Sequence, residues 1–150
     1  MKKENFKILP NGNRITCGII IMDKYKNILG GHGTNKQGFD LLKGCCDENE
    51  SDLECALREL REESGIILNN ENIIDIGIKK YVKGKDIHLF LYKIGNNVID
   101  LKSLNCTSYF ETKSGKMLPE INYYRMIKKD ERHLFYRSLQ NVFKEIPELN

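Results

Sequence analysis

No stretch of the chain reaches the roughly 18 consecutive apolar residues that a membrane-spanning helix needs, so no transmembrane segment is expected. The first residues, Met1-Lys2-Lys3-Glu4-Asn5, lead into Phe6-Lys7-Ile8 and a turn. They lack the apolar stretch of a secretory signal, and the expectation is a cytoplasmic protein. No Cys-x-x-Cys pair occurs, and the cysteines (Cys17, Cys45, Cys46, Cys55 and Cys106) are odd in number. Free thiols in a reducing compartment follow. The adjacent pair Cys45-Cys46 cannot alone supply the spacing of a tetrahedral zinc site. Internal repeats and low-complexity segments are also missing, and the basic residues are not gathered into a block. With 24 Lys and Arg against 21 Asp and Glu, the net charge is +3. That balance suits an anionic ligand without demanding nucleic acid. Lys128-Lys129 reads as a solvated junction between elements, not as a binding patch.

What remains is an ordinary globular composition, 40% hydrophobic and 30% charged over 150 residues. Such a chain fits one domain and can bury a core without staples. The isoleucine-rich run 15–22 predicts a buried strand, and Ile28-Leu29 a short one after a polar turn. Residues 32–37 read as a polar loop and 39–42 as a short apolar segment. Residues 51–64 carry several helix signals. Ser51 is a cap with Glu54 three residues on, the capping-box spacing, and Gly65 follows the last turn. Residues 73–82 and 87–94 predict two strands of a hairpin. Residues 95–119 read as a long irregular loop, often a functional feature in a small domain. A last strand is expected over 121–127. An amphipathic helix is expected over 130–146, with Leu134, Phe135, Leu139, Val142, Phe143 and Ile146 on one face. The order argues for an α+β fold with helices on a mixed sheet, not a doubly wound parallel one.

The chemistry concentrates on the central helix. At about 100° per residue, Glu59, Glu62 and Glu63 share one face, while Leu53, Ala56, Leu57 and Leu60 form the adjacent apolar stripe. Arg61 and Glu54 point to solvent. Three carboxylates on one face repel, which a helix built for stability alone would interleave with lysines. Hard divalent cations such as magnesium, which prefer oxygen ligands and share them with phosphates, give a reason to gather them. Arg58, four residues before Glu62, is placed to pair with it and fix its rotamer. Gly44, before the helix, lets backbone approach a metal or phosphate closely. By spacing alone, a solvated acidic helix face with a salt bridge from Arg58 is the better account of the glutamates.

The stretch 44–66 resembles the Nudix box, G-x5-E-x7-R-E-U-x-E-E-x-G-U with U bulky and apolar. Gly44, Glu50, Arg58, Glu59, Leu60, Glu62, Glu63, Gly65 and Ile66 all stand at the required places. Each fixed residue type has a frequency of roughly one in fifteen, so a full match in register rarely arises by chance. Around the box the similarity is looser. Phe39-Asp40-Leu41-Leu42-Lys43-Gly44 is similar to the family's W-x-L-P-K-G lead-in, with Phe for Trp and Leu for Pro. Cys45 stands where many members carry a second glycine. Leu118-Pro119-Glu120-Ile121, followed by Tyr124-Arg125, resembles the segment before the family's last strand.

The resemblance implies an α/β/α sandwich and a Mg2+-dependent hydrolase of pyrophosphate bonds, with Mn2+ as a possible substitute. It implies Glu59 and Glu63 as principal metal ligands, the Gly44 carbonyl as a further one, and Glu62 as ligand or base. Arg58 would orient the acids, Glu50 would be an outer or weak ligand, and Glu120 a loop-borne ligand or general base, with Glu111 a second loop candidate. His32, His88 and His133 are not clustered in sequence; His88 is expected in the core or on the sheet surface, and Tyr123 and Tyr124 are expected to pack rather than stack on a base. The substrates implied are nucleoside diphosphates linked to another group: ADP-ribose, FAD, NAD-like compounds or dinucleoside polyphosphates. RNA 5′ ends, oxidised nucleoside triphosphates and a non-catalytic nucleotide-sensing module are the alternatives. A monomer and a homodimer are both compatible, and the Lys, Asn and Ile richness suits an AT-rich bacterial or phage genome.

Overall fold

The run 15–22 is apolar without alternation because the strand it forms, β1 (Arg14–Asp23), is covered on both faces. The computed structural model describes residues 5–150. Ile15, Cys17, Ile19 and Ile21 point to one side of the sheet, and Ile20 and Met22 to the other, as period-two geometry requires. β1 runs parallel to β6 (Lys85–Gly95) and antiparallel to β2 (Ile28–Gly33). β6 forms the expected hairpin with the edge strand β5 (Ile73–Val82). On the far side β2 pairs with β3 (Phe39–Asp40) and with β9 (Ile121–Ile127), while β4 (Lys43–Cys45) pairs with β1. The result is a seven-stranded mixed sheet.

One face carries α1 (Asp52–Ser64), which buries Cys55, Ala56 and Leu60 against Ile15, Cys17, Ile19 and Phe90. The other carries α2 (Arg137–Phe143), with Leu139, Val142 and Phe143 against Ile20, Met22 and Leu89. This is the expected sandwich of helix, sheet and helix. Among the described residues no helix is long and apolar enough to cross a membrane.

The structure departs from the sequence reading in three places. The closing helix is not continuous over 130–146. A 3-10 turn (Lys129–Leu134) is followed by extended backbone at Phe135 and Tyr136 before α2 begins. The Phe39 carbonyl accepts the Tyr136 N–H at 3.1 Å, so pairing with β3 pulls this stretch out of the helix and seats Phe135 in the core. The polar residues His32 and Gly33 extend β2, because β9 supplies partners for their backbone. The stretch 95–119 is only partly irregular. It holds a 3-10 turn (Leu101–Ser103) and a hairpin of β7 (Tyr109–Glu111) with β8 (Met117–Pro119).

Candidate active site

Helix α1 starts and stops where its sequence signals placed it. The Ser51 hydroxyl accepts the Glu54 N–H at 3.1 Å, and the Glu54 carboxylate accepts the Ser51 N–H at 2.8 Å. Gly65 closes the helix in the left-handed region at φ 80°. Pairing of β4 with β1 sets Gly44 opposite Cys17, beside the middle of this helix. The Glu59 carboxylate lies directly against the Gly44 α-carbon. A Cβ there would overlap Cδ and both oxygens of Glu59, so only glycine leaves room.

Arg58 does more than pair with Glu62. Its Nε and Nη2 hold both oxygens of Glu50 at 3.0 and 2.6 Å, and Nη1 reaches Glu59 at 3.0 Å and Glu62 at 3.1 Å. Nη2 also donates to the Cys45 carbonyl at 3.3 Å. Burial acts to raise the pKa of Glu50, but Arg58 and the Asp47 N–H overcome this and hold it below the usual carboxylate range. Glu50 is thereby committed to Arg58, and Arg58 ties the loop before α1 to the acids on it.

Glu63 is only 6% exposed. One of its oxygens accepts the Lys43 backbone N–H at 2.9 Å, and the Tyr124 hydroxyl donates to its carbonyl. Burial, then the charges of Glu59 and Glu120, push its carboxyl up to about 9. Burial also raises Glu59, to about 7, with Arg58 opposing and Glu62 adding to the rise. These acids are gathered against their own repulsion.

The loop-borne Glu120 is brought to the same place. The Ser108 carbonyl accepts its N–H at 2.8 Å, and its own carbonyl accepts the Thr34 N–H at 3.1 Å. Nearby, the Glu62 carbonyl accepts the Thr107 N–H at 2.7 Å, and the Ser64 carbonyl accepts the Asn105 N–H at 3.0 Å. The chain before β7 is thus strapped across the end of α1. Glu120 lines two cavities. One, about 590 Å³, contains Lys43, Gly44, Arg58, Glu59 and Glu62. The other, about 730 Å³, contains Thr34, Glu63, Tyr81, Phe110 and Tyr136. Glu111 is exposed on β7 and lines neither.

The histidines stay out of both cavities. His88 lies between Asp52 and Asp75, 2.7 Å from each, and stacks on Phe90. His32 stacks on Tyr123 at 4.5 Å. All five cysteines are free. The Cys46 thiol gathers with Cys17 and Cys55, not with its neighbour Cys45, and burial pushes it up to about 12.

A family model described as the NUDIX domain matches residues 12–136. The chain belongs to the Nudix family. Its members are hydrolases of pyrophosphate bonds that generally use divalent metals. The chain is 32% identical over 143 residues to an uncharacterized 17.7 kDa protein in the e-segB intergenic region of Enterobacteria phage T4, covering 86% of this chain and 95% of that one. It is 30% identical over 115 residues to the mRNA-decapping protein g5R of African swine fever virus. That match covers 74% of this chain but only 43% of the viral protein. A C. elegans Ap4A hydrolase shares the fold at a TM-score of 0.62 and 16% identity, over 87% of this chain and 93% of that one.

The residues of this Nudix chain suit a hard divalent cation. The carboxylates of Glu59 and Glu62, which share a cavity with Gly44, offer the oxygen ligands such a cation prefers. The raised Glu59 and Glu63 mark a place where positive charge is wanted, and the Gly44 carbonyl, which accepts the Cys55 thiol at 3.5 Å, belongs to a residue in direct contact with the Glu59 carboxylate. The sequence reading named Lys43 in the lead-in but gave no role to its backbone, which positions Glu63, and it missed Tyr81, Phe110 and Tyr136, which line the second cavity. The three rings are far apart in the chain, and no local periodicity joins them.

Proposed function

We infer that this Nudix hydrolase cleaves a pyrophosphate bond in a nucleoside diphosphate linked to a second group, such as ADP-ribose, FAD or a dinucleoside polyphosphate. The observation that carries the reading is that Glu59, Glu62 and the loop residue Glu120 line one cavity with Gly44, while Glu63 accepts the N–H of the neighbouring Lys43. Glu59, Glu63 and the Gly44 carbonyl would hold Mg2+, with Mn2+ as a substitute and Glu62 as a further ligand. When bound, the cation neutralises phosphate oxygens and lowers the pKa of water. Arg58 fixes the rotamers of Glu59 and Glu62, so that little reorganisation accompanies reaction. Lys43 holds Glu63 in place through its N–H. Glu120, on a strapped loop that lines the same cavity as the box acids, would serve as a further ligand or take a proton from the attacking water, with Glu62 as the alternative base.

A second reading is hydrolysis at RNA 5′ ends, and the match to a viral mRNA-decapping protein favours it. The net charge of +3 is compatible with it. The test is release of AMP or phosphate from a panel: ADP-ribose, FAD, a dinucleoside polyphosphate, a nucleoside triphosphate and 5′-triphosphate RNA, with Mg2+ or with EDTA. The expected result is Mg2+-dependent cleavage with the highest kcat/KM on a linked nucleoside diphosphate. Preference for RNA with steep salt dependence transfers the assignment to the second reading. Nucleotide binding without turnover of any substrate makes the chain a sensing module.

A further inference from the structure

We propose that the thiols of Cys17, Cys46 and Cys55 form a binding site for one thiophilic divalent cation of the zinc and cadmium class, separate from the carboxylate site of the box. The three sulfurs lie within 4.8 Å of one another. Zinc bonded to three sulfurs at about 2.3 Å in one plane holds them about 4.0 Å apart, so the cluster has to contract by less than about 1 Å. The thiols come from separate segments: Cys17 from β1, Cys46 from the stretch after β4 and Cys55 from α1. Pairing of β4 with β1, and the packing of α1 over both, bring them together. Soft thiolates favour ions of this class over magnesium.

Cysteine also packs as a small apolar residue, and all three belong to the core beneath α1. The surroundings go beyond packing in charge and in oxygen. Three thiolates around a divalent cation carry one net negative charge. Arg58 Nη2 lies 3.9 Å from the Cys55 sulfur, and the Lys7 ammonium stands beside Cys46, so positive charge flanks the cluster. The Cys46 thiol faces the carbonyls of Asp47, Glu50 and Ser51 at 3.4, 3.4 and 3.7 Å. Zinc takes four ligands, and one of these carbonyls can complete the set. None of the three cysteines is more than 1% exposed, so the protein supplies every ligand, as in a closed structural site. Each sulfur–metal bond replaces an S–H bond, and the three protons pass to the buffer. The ion would cross-link β1, the loop before α1 and α1 itself, the segments that frame Gly44 and Arg58.

The test is titration of the full chain, reduced with a phosphine and held in excess Mg2+ to occupy the box acids, with Cd2+ and with Zn2+. Cd2+ should bind at one ion per chain and produce sulfur-to-metal charge-transfer absorption in the ultraviolet. X-ray absorption of the zinc-loaded protein should show sulfur ligands at about 2.3 Å. Cys17→Ala and Cys46→Ala should each weaken binding by more than about 100-fold, beyond the loss of an outer-shell partner. Cys106→Ser, which lies outside the cluster, should bind as the wild type does. Absence of the charge-transfer band, a zinc shell of oxygen and nitrogen alone, or unaltered binding in Cys17→Ala and Cys46→Ala overturns the site. Should either variant fail to fold, the X-ray absorption of the wild type decides by itself. The outcome does not depend on the substrate, so loss of the pyrophosphatase reading would leave the thiol site standing, and the reverse.

Discussion

Glu59 rests against an α-carbon that has no room for a methyl group. Gly44→Ala must push the carboxylate aside, and the other box acids are then left without their geometry. The expected outcome is a folded protein with Mg2+ affinity and turnover both reduced. Circular dichroism and magnesium titration check it, and wild-type affinity would show that the close approach is incidental. Glu63 presents the opposite balance. Its carboxyl is raised to about 9 by burial and neighbouring acids, so ionising it costs the fold stability. Glu63→Gln keeps an oxygen for the Lys43 N–H and removes that charge. Its Tm in EDTA at mildly alkaline pH should exceed that of the wild type, the usual exchange of function for stability. Both residues are legible in the sequence as box positions. Their burial and the Lys43 contact are not, because tertiary pairing of β4 with β1 creates them.

At the scale of elements, α1 was the most readable feature, since its capping box, apolar stripe and terminal glycine are all local signals. Ser51→Ala should cost about 1 kcal/mol, or roughly 2–4 °C in Tm, without altering the acids a turn and more away. Arg58 couples this helix to the loop before it. Lysine in its place keeps the charge but not the fork that grips Glu50. Arg58→Lys should therefore lower metal affinity by about 10- to 100-fold, measured by magnesium titration of activity and of Tm. The elements that sequence misjudged share a cause. The stretch 130–146 has helical periodicity, yet a bridge to Phe39 takes Phe135 out of the helix. The loop 95–119 carries no strong strand pattern, and β7 forms because β8 lies beside it. That pairing turns Phe110 toward the cavity and leaves Glu111 exposed, a choice the sequence alone left open.

At the scale of the molecule, the clustered acids link stability, pH and metal. An unperturbed glutamate titrates near 4.5, whereas Glu59 and Glu63 are raised to about 7 and about 9. The folded state therefore binds their protons more tightly than the unfolded state does. The stability they contribute is fully present below pH 4.5 and is lost as pH rises through those values. In EDTA, Tm should fall between about pH 5 and pH 9. Mg2+ should raise Tm by an amount that grows with pH over the same window, because the cation competes with the protons. A pH-independent magnesium shift would contradict the ligand assignment. The sheet and its two helices serve this cluster by holding β4, α1 and the loop before β9 in one frame. The central claim, that the box acids carry Mg2+-dependent pyrophosphate hydrolysis, is tested most directly by the turnover of ADP-ribose at saturating Mg2+ by wild type and Glu63→Gln. The expected result is metal-dependent AMP release by the wild type and a loss of about 10²- to 10⁴-fold in a variant that folds normally. A folded Glu63→Gln protein that turns over at the wild-type rate would contradict it.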